Sequence, residues 1–215
     1  MICMKSLSEY IFEKIKNLPK NVSGIIVFDI DDTILKVDSS LMSIYKKTEN
    51  GEKALSTDEF AKDPDAGNPE KSNLFDFRDF NDPTKVYMSI MKGTPLIRNL
   101  KIMDDYINAG YDFCFLTARG CEETVKTALD DFLKVRNRNG ALEKLGLSFK
   151  KTISHAVNDK FKKYPGKSDS EKKAIVLKKL CSQYDKVVFV DDDNKNVNAA
   201  RNLKISNLKV IKAWN

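Results

Sequence analysis

Three short polar clusters stand out in this chain, each at the end of an apolar run. Asp29-Ile30-Asp31-Asp32-Thr33 follows the run Gly24-Ile25-Ile26-Val27-Phe28. Thr117-Ala118-Arg119 closes Tyr111–Thr117 (YDFCFLT), and Asp191-Asp192-Asp193-Asn194 closes Lys186–Asp191 (KVVFVD). Asp, Asn and Thr cap turns and helices everywhere, so any one cluster alone reads as a cap. Massed at one end of a sheet, however, carboxylates repel one another unless a cation lies between them. A donor set made of oxygen suits a hard ion, Mg²⁺ ahead of Ca²⁺ or zinc. A cationic side chain joins them: Ser168-Asp169-Ser170-Glu171 has the form of a capping box, which puts Lys172 and Lys173 near the start of a helix just ahead of the strand that ends in Asp191. By itself, a lysine in SEKKAIVLKKL reads as a solvated helix residue.

The elements that must position these clusters follow from the apolar pattern. Besides the run ending at Phe28, buried strands are expected at Tyr111–Thr117, Lys151–Ala156, Lys186–Asp191 and Leu208–Ala213. Between them lie amphipathic helices: one starting at Thr94-Pro95 with Leu96, Leu100, Met103 and Ile107; one with Val125, Ala128, Leu129, Phe132 and Leu133; one with Ala174, Leu177, Leu180 and Tyr184; and one with Val197, Ala200 and Leu203. Short buried strands alternating with helices predict an α/β, Rossmann-like parallel sheet with helices on both faces. Ligands bind such sheets at the carboxyl ends of the strands, where all three clusters fall. An opening helix is expected over Ser6–Leu18, with Ser6 and Glu9 as its capping box and Pro19 as its stop.

Lys36–Lys92 is too long for a bare connection. It carries an apolar patch at Leu41, Ile44 and Tyr45, a helix start at Ser56-Thr57-Asp58-Glu59, the alternating LFDFRDF, a loop at Asp63–Pro69 and a helix opening at Asp82-Pro83. We read 36–92 as an inserted cap after the first strand, with 1–35 and 93–215 forming the core.

The 215 residues suit one domain with an elaboration, and the 41% hydrophobic and 32% charged composition is that of a soluble globular protein. No apolar run approaches the ~20 residues of a membrane span, and MICMKSLSEY lacks an apolar h-region, so a cytoplasmic protein without membrane partners is expected. Cys3, Cys114, Cys121 and Cys181 form no Cys-x-x-Cys pair and read as reduced thiols; a catalytic cysteine would have His155 alone as partner. The net charge of +6 favours anionic partners such as phosphorylated metabolites, nucleotides or nucleic acid.

In its motif order the chain resembles the haloacid dehalogenase superfamily of phosphatases: Asp29-x-Asp31-x-Thr33, then a strand ending in Thr117, then a lysine at a helix start, then a strand ending in Asp191-Asp192 with Asn196. The resemblance covers the core and leaves 36–92 unexplained. It implies that Asp29 is the nucleophile, giving an aspartyl-phosphate, and that Asp31 is the general acid, then the base. Thr117 would hydrogen-bond the phosphoryl oxygens. Asp192 would hold Mg²⁺ with Asp29 and the backbone carbonyl of Asp31, while Asn196, and behind it Asp191, would support the metal through its waters. Lys173 keeps a Lys-x-x-x-Leu pattern with Leu177 similar to family members and is preferred as the active-site lysine; Lys172 and Lys167 are the alternatives. An aspartate at position 31 marks the family's phosphatases, as opposed to its ion pumps and dehalogenases. Asp32 is given a turn-shaping role and no chemistry.

Elementary electrostatics makes the roles reasonable. A phosphate monoester dianion beside Asp29 and Asp192 gathers about four negative charges, which Mg²⁺ and one lysine nearly balance. Other classes fit less well. Pro165-Gly166-Lys167-Ser168 looks like the tail of a P-loop, but the full loop needs glycine where Phe161 stands, and no buried strand feeds it. A phospho-acceptor signalling domain leaves Asp29-x-Asp31 unexplained, and a catalytically inactive phospho-ligand or nucleic-acid binding module has no need of Asp31.

Substrate choice is expected to lie with the insertion, leaving nucleotides, nucleic-acid ends and phosphometabolites open. Arg119 and Arg78 are candidate substrate contacts, Arg78 having Asp76 and Asp79 as alternative partners. The loop Asn158–Tyr164 mixes lysines with aromatics as single-stranded nucleic-acid surfaces do, although solvated lysines and tucked rings are the commoner reading.

Overall fold

Gly24–Phe28 contains β-branched and aromatic residues and is buried along its whole length, as the central strand of a sheet covered on both faces must be. A computed structural model describes residues 23–66, 68–137, 154–156 and 168–214. The expected opening helix, Lys167 and the Asn158–Tyr164 loop lie outside the described residues. In chain order the described elements are β1 (Gly24–Phe28), β2 (Leu35–Lys36), β3 (Ile44–Thr48), β4 (Gly51–Leu55), α1 (Thr57–Lys62), β5 (Phe75–Asp76), α2 (Pro83–Lys92), β6 (Thr94–Pro95) and α3 (Ile97–Asn108). They continue with β7 (Asp112–Thr117), α4 (Glu122–Asn137), β8 (Ser154–Ala156), α5 (Asp169–Cys181), β9 (Lys186–Asp191), α6 (Asn194–Asn202) and β10 (Leu208–Lys212).

The main sheet has the order β10-β9-β1-β7-β8, and every pairing in it is parallel. This bears out the expected α/β, Rossmann-like architecture. Side chains alternate across a strand, and β1 divides accordingly. Ile26 and Phe28 pack with Leu100, Met103 and Ile107 of α3 and Val125, Leu129 and Phe132 of α4. Ile25 and Val27 face the other way, onto Val176, Leu177 and Leu180 of α5 and Ala200 of α6. The chain runs outward from β1 through β7 to β8, then returns to lay β9 on the opposite side of β1. The β1/β9 boundary is therefore the topological switch point, where a crevice opens at the carboxyl ends of the strands.

The helix expected at Thr94-Pro95 begins later, at Ile97. Thr94 and Pro95 instead pair antiparallel with Lys36 and Leu35, so the chain leaves and rejoins the core side by side. Between these points β3 pairs antiparallel with β4 and β5 over a small core of Met42, Ile44, Leu55, Phe75 and Phe80. Its helix starts fall as expected. Ser56 and Glu59 form a reciprocal capping box on α1, and the Asp82 side chain accepts from the backbone N–H groups of Thr84 and Lys85 ahead of Pro83.

LFDFRDF is strand only at Phe75–Asp76; Arg78–Asn81 forms a 3₁₀ turn instead. Its turn buries Asp79, which accepts from Ser43 N–H, Tyr45 Oη and Lys85 Nζ. A buried carboxylate with three donors outweighs the alternating pattern as a local constraint. The loop after α1 is pinned by Lys46 Nζ, which reaches Asp63 and Asp65 at 2.7 and 2.8 Å.

Gly24 opens β1 where the Tyr111 ring crosses it; a Cβ there would fall 2.5 Å from Tyr111 Cε1. Tyr111 is itself buried and packed edge-on against Tyr106. Gly24→Val is expected to destabilise the fold by about 1–3 kcal/mol through overpacking. A urea midpoint equal to that of the parent protein would contradict this packing.

Candidate active site

Asp29 is the first residue beyond β1, and its backbone N–H donates to Val190 O of β9, extending the ladder by one bond at 3.0 Å. After it the chain makes a tight turn. The N–H groups of Ile34 and Leu35 return to Ile30 O, and Asp32 N–H donates to Leu35 O. Asp32 has φ +54°, a conformation that aspartate tolerates better than most residues. Main-chain bonds thus satisfy the turn, and the Asp32 carboxylate, expected to serve backbone groups, instead accepts from Thr57 Oγ1 of α1 at 2.9 Å. The apolar Ile34 and Leu35 are fully buried and turn the chain back into the core.

Three carboxylates, Asp29, Asp191 and Asp192, bring their oxygens within 4.8 Å of one another at the β1/β9 crevice. Lys173 reaches them from the first turns of α5. Its ammonium donates to Asp29 Oδ1 at 2.7 Å and to Asp191 Oδ2 at 2.8 Å, and its side chain is 3% exposed. Lys172 points elsewhere and pairs with Asp169 at 3.0 Å. Helix phase accounts for the difference: Val176, Leu177 and Leu180 are buried at the i+3, i+4 and i+7 positions from Lys173 and carry it to the sheet.

Asp191 is held on several sides. Besides Lys173, Asn196 donates to both of its oxygens at 3.1 and 3.0 Å, and Asp193 N–H donates to Oδ1 at 2.9 Å. Asn196, expected close to a metal, therefore reaches the cluster through Asp191. Asp192 Oδ1 accepts from Thr33 Oγ1 at 3.0 Å, and Thr33 Oγ1 accepts in turn from Asp192 N–H at 3.1 Å, tying the first cluster to the third. Asn99 of α3 is buried and donates to Thr33 O at 2.6 Å and to Trp214 O at 2.9 Å. Nothing in the apolar pattern singled it out; a buried polar residue on a helix otherwise facing the core is the signal.

Thr117 ends β7, buried beside the Asp29 turn, and Arg119 follows it. Arg119, expected as an anion contact, is wholly buried, with Nε and Nη2 forked onto Asp31 Oδ2 and Oδ1 at 2.9 and 2.6 Å. A guanidinium without solvent needs acceptors, and here the Asp31 carboxyl, Ser89 Oγ and Val86 O supply them. Arg78 is engaged within the insertion by Glu52 and Asp76, with its guanidinium 3.8 Å from the Tyr45 ring centroid.

The cluster suits a divalent cation. All of its donors are carboxylate oxygens, and Asp29 Oδ2 has no hydrogen-bond partner among the described residues. Electrostatics point the same way. Burial raises the Asp29 carboxyl well above the ordinary aspartate value, with Lys173 opposing and the neighbouring aspartates adding to the rise. Burial also pushes Asp192 up to about 6, helped by Asp191. At Lys173 burial works against the ammonium, but Asp191 and Asp29 outweigh it and hold the pKa above the usual lysine range. Lys173 bonds two of the three carboxylates, and a bound dication would add positive charge beside all three.

No family model matches this chain, and no curated protein matches it. Among the described residues no helix is long and apolar enough to cross a membrane.

Removing the buried ammonium with Lys173→Met should cost about 3–5 kcal/mol, because two buried carboxylates lose their partner. Lys172→Met should cost under about 1 kcal/mol. Equal costs in chemical denaturation would contradict the assignment of Lys173. A carboxyl whose folded pKa lies above its unfolded value stabilises the fold below the unfolded pKa. For Asp192 that contribution is lost as the pH rises through about 6. Mg²⁺ is therefore expected to raise the thermal midpoint at about pH 7.5 and to do little at about pH 4. Identical midpoints with Mg²⁺ and with EDTA at the higher pH would count against a metal site.

Proposed function

We propose that the protein is a Mg²⁺-dependent phosphomonoester hydrolase of the haloacid dehalogenase superfamily, acting through an aspartyl-phosphate on Asp29. The observation that carries this reading is the buried Lys173 ammonium held between Asp29 Oδ1 and Asp191 Oδ2 with Asp192 adjacent, at the switch-point crevice. Among the described residues the other ion pairs have one acid to one base or lie near solvent; this one is buried and joins one base to two acids at the sheet end where ligands bind.

Asp29, Asp192 and the backbone carbonyl of Asp31 are the proposed metal ligands, with Asp191 and Asn196 supporting them. The ion, when bound, would neutralise charge on the phosphoryl oxygens and draw phosphorus toward Asp29. Asp29 Oδ2 attacks phosphorus as the bond to the leaving oxygen breaks, and the carboxylic proton of Asp31 passes to that oxygen. Asp31, now a carboxylate, then takes a proton from water. The resulting hydroxide attacks phosphorus, the bond to Asp29 breaks, and phosphate leaves with the Asp29 carboxylate restored. Lys173 offsets the negative charge gathered in both steps, and the Thr117 hydroxyl donates to a phosphoryl oxygen. Asp31 has a side chain 18% exposed, enough to meet a substrate.

Residues 36–92 are proposed as the cap that chooses the substrate, a phosphorylated metabolite, nucleotide or nucleic-acid end. Support comes from its contacts with the strand-end loops: Thr57 with Asp32, Ser89 and Val86 with Arg119, and Phe80 with Gly120.

The test is hydrolysis by Mg²⁺-loaded protein of p-nitrophenyl phosphate and of a panel including nucleotides, sugar phosphates and 3′-phosphorylated DNA. Turnover is expected for the parent protein and none for Asp29→Asn, with the variant's far-ultraviolet circular dichroism unchanged. Absence of turnover across the panel would favour a binding module, and retained activity in Asp29→Asn would overturn the nucleophile assignment.

A further inference from the structure

Arg119 has the largest wholly buried side chain in the described part of the molecule, and three parts of the fold meet on it. Its Nε and Nη2 grip both oxygens of Asp31, 88 residues away in sequence. Its Nη1 donates to Ser89 Oγ at 2.7 Å and to Val86 O at 3.3 Å, both on α2 of the insertion. Its backbone N–H donates to Thr117 Oγ1 at 3.2 Å. The next residue, Gly120, donates its N–H to Phe80 O of the insertion at 2.9 Å, fixing the loop against the same segment.

A bidentate fork fixes both the position and the plane of a carboxylate, which a single point charge does not. The turn that carries Asp31 is already closed by main-chain bonds, so the fork is not needed to hold the backbone. What the fork adds is the direction in which the Asp31 side chain presents its oxygens. Four of its five N–H groups go to Asp31, Ser89 and Val86, and these contacts orient the guanidinium on Asp31.

We propose that Arg119 is a positioning residue for Asp31, aiming that carboxyl at the leaving-group oxygen, and that Ser89 on α2 steadies the guanidinium, so that the insertion helps to set the acid. This rests on the phosphatase reading above and assigns within it a role that the phosphate-contact reading of Arg119 does not.

A positioned acid matters in proportion to how badly the leaving oxygen needs a proton. Alkyl phosphates expel a strongly basic alkoxide and need it; p-nitrophenyl phosphate expels a stable phenolate and scarcely does. In Arg119→Lys, which keeps the charge but cannot fork, kcat/KM for an alkyl phosphate such as glycerol 3-phosphate should fall about 10²-fold further than kcat/KM for p-nitrophenyl phosphate. The loss should appear in kcat rather than KM. Because both substrates are measured on one preparation, the ratio is independent of the fraction that folds. Asp31→Asn should show the same selective loss, and the double variant Asp31→Asn/Arg119→Lys no further selectivity. Ser89→Ala, a smaller change, should shift the ratio in the same direction by a few-fold and carries the test if Arg119→Lys does not fold.

Equal losses on both substrates would make Arg119 merely structural and overturn the proposal. A rise in KM for both with the ratio intact would make it a phosphate contact and overturn it likewise. Failure of the parent protein to hydrolyse any phosphomonoester of the panel above would overturn the phosphatase reading itself, a result distinct from either of these.

Discussion

Lys173 joins the carboxylate cluster at the β1 and β9 strand ends, its buried ammonium bonded to both Asp29 and Asp191. A buried ammonium between two aspartates is strongly held, and removing any one of the three strands the others without solvent. That constraint runs outward in several directions. It requires α5 to lie on the sheet with the phase that turns Lys173 inward, which the apolar positions Val176, Leu177 and Leu180 provide. It also requires Asp191 to be oriented from behind, which Asn196 and the Asp193 N–H provide. Even so, Asp29 and Asp192 both hold protons more tightly than an ordinary aspartate. That cost fits the seat for a cation and an anion proposed above.

The scaffold places that crevice by topology. Because β9 lies beside β1 although 162 residues separate Gly24 and Lys186 in register, the two acidic strand ends become neighbours only when the sheet is complete. The connecting bonds are specific: Thr33 with Asp192, Asn99 with Thr33 and Trp214, and Asp29 N–H with Val190 O. On the other side of β1, the loop after β7 reaches across to Asp31 through Arg119 and to the insertion through Ser89 and Phe80. The turn carrying Asp29 and Asp31 is thus braced from both flanking strands.

Much of this was readable in the sequence, for identifiable reasons. Strands buried on both faces have to be apolar throughout, so GIIVF, DFCFLT and KVVFVD announce themselves, and polar residues at their ends follow from where the chain leaves the core. Capping boxes are local, and those at Ser56 and Ser168 form as their spacing requires. What escaped depends on contacts remote in sequence. The Asp31–Arg119 fork spans 88 residues, so an arginine after Thr117 read as an anion contact when it is the partner of an acid. Asn99 and Ser89 are buried polar residues on helices, whose partners become visible only when the layers are packed. In the insertion, strands of two to five residues with exposed lysines gave weak periodicity, and the buried Asp79 bent LFDFRDF into a turn where alternation suggested a strand. Between Lys172 and Lys173 the deciding signal was present: only Lys173 is in phase with the apolar stripe of its helix.

The central claim is that Asp29 takes the phosphoryl group onto its own carboxylate. Acyl phosphates are reduced by borohydride to the alcohol, which would convert Asp29 to homoserine, whereas free carboxylates are untouched. Protein turning over saturating phosphomonoester with Mg²⁺ is acid-quenched, treated with borohydride, digested and mapped by mass spectrometry. The account predicts homoserine at position 29, dependent on both substrate and Mg²⁺. Reduction at a different residue, or sustained turnover with Asp29 left unreduced, would contradict it.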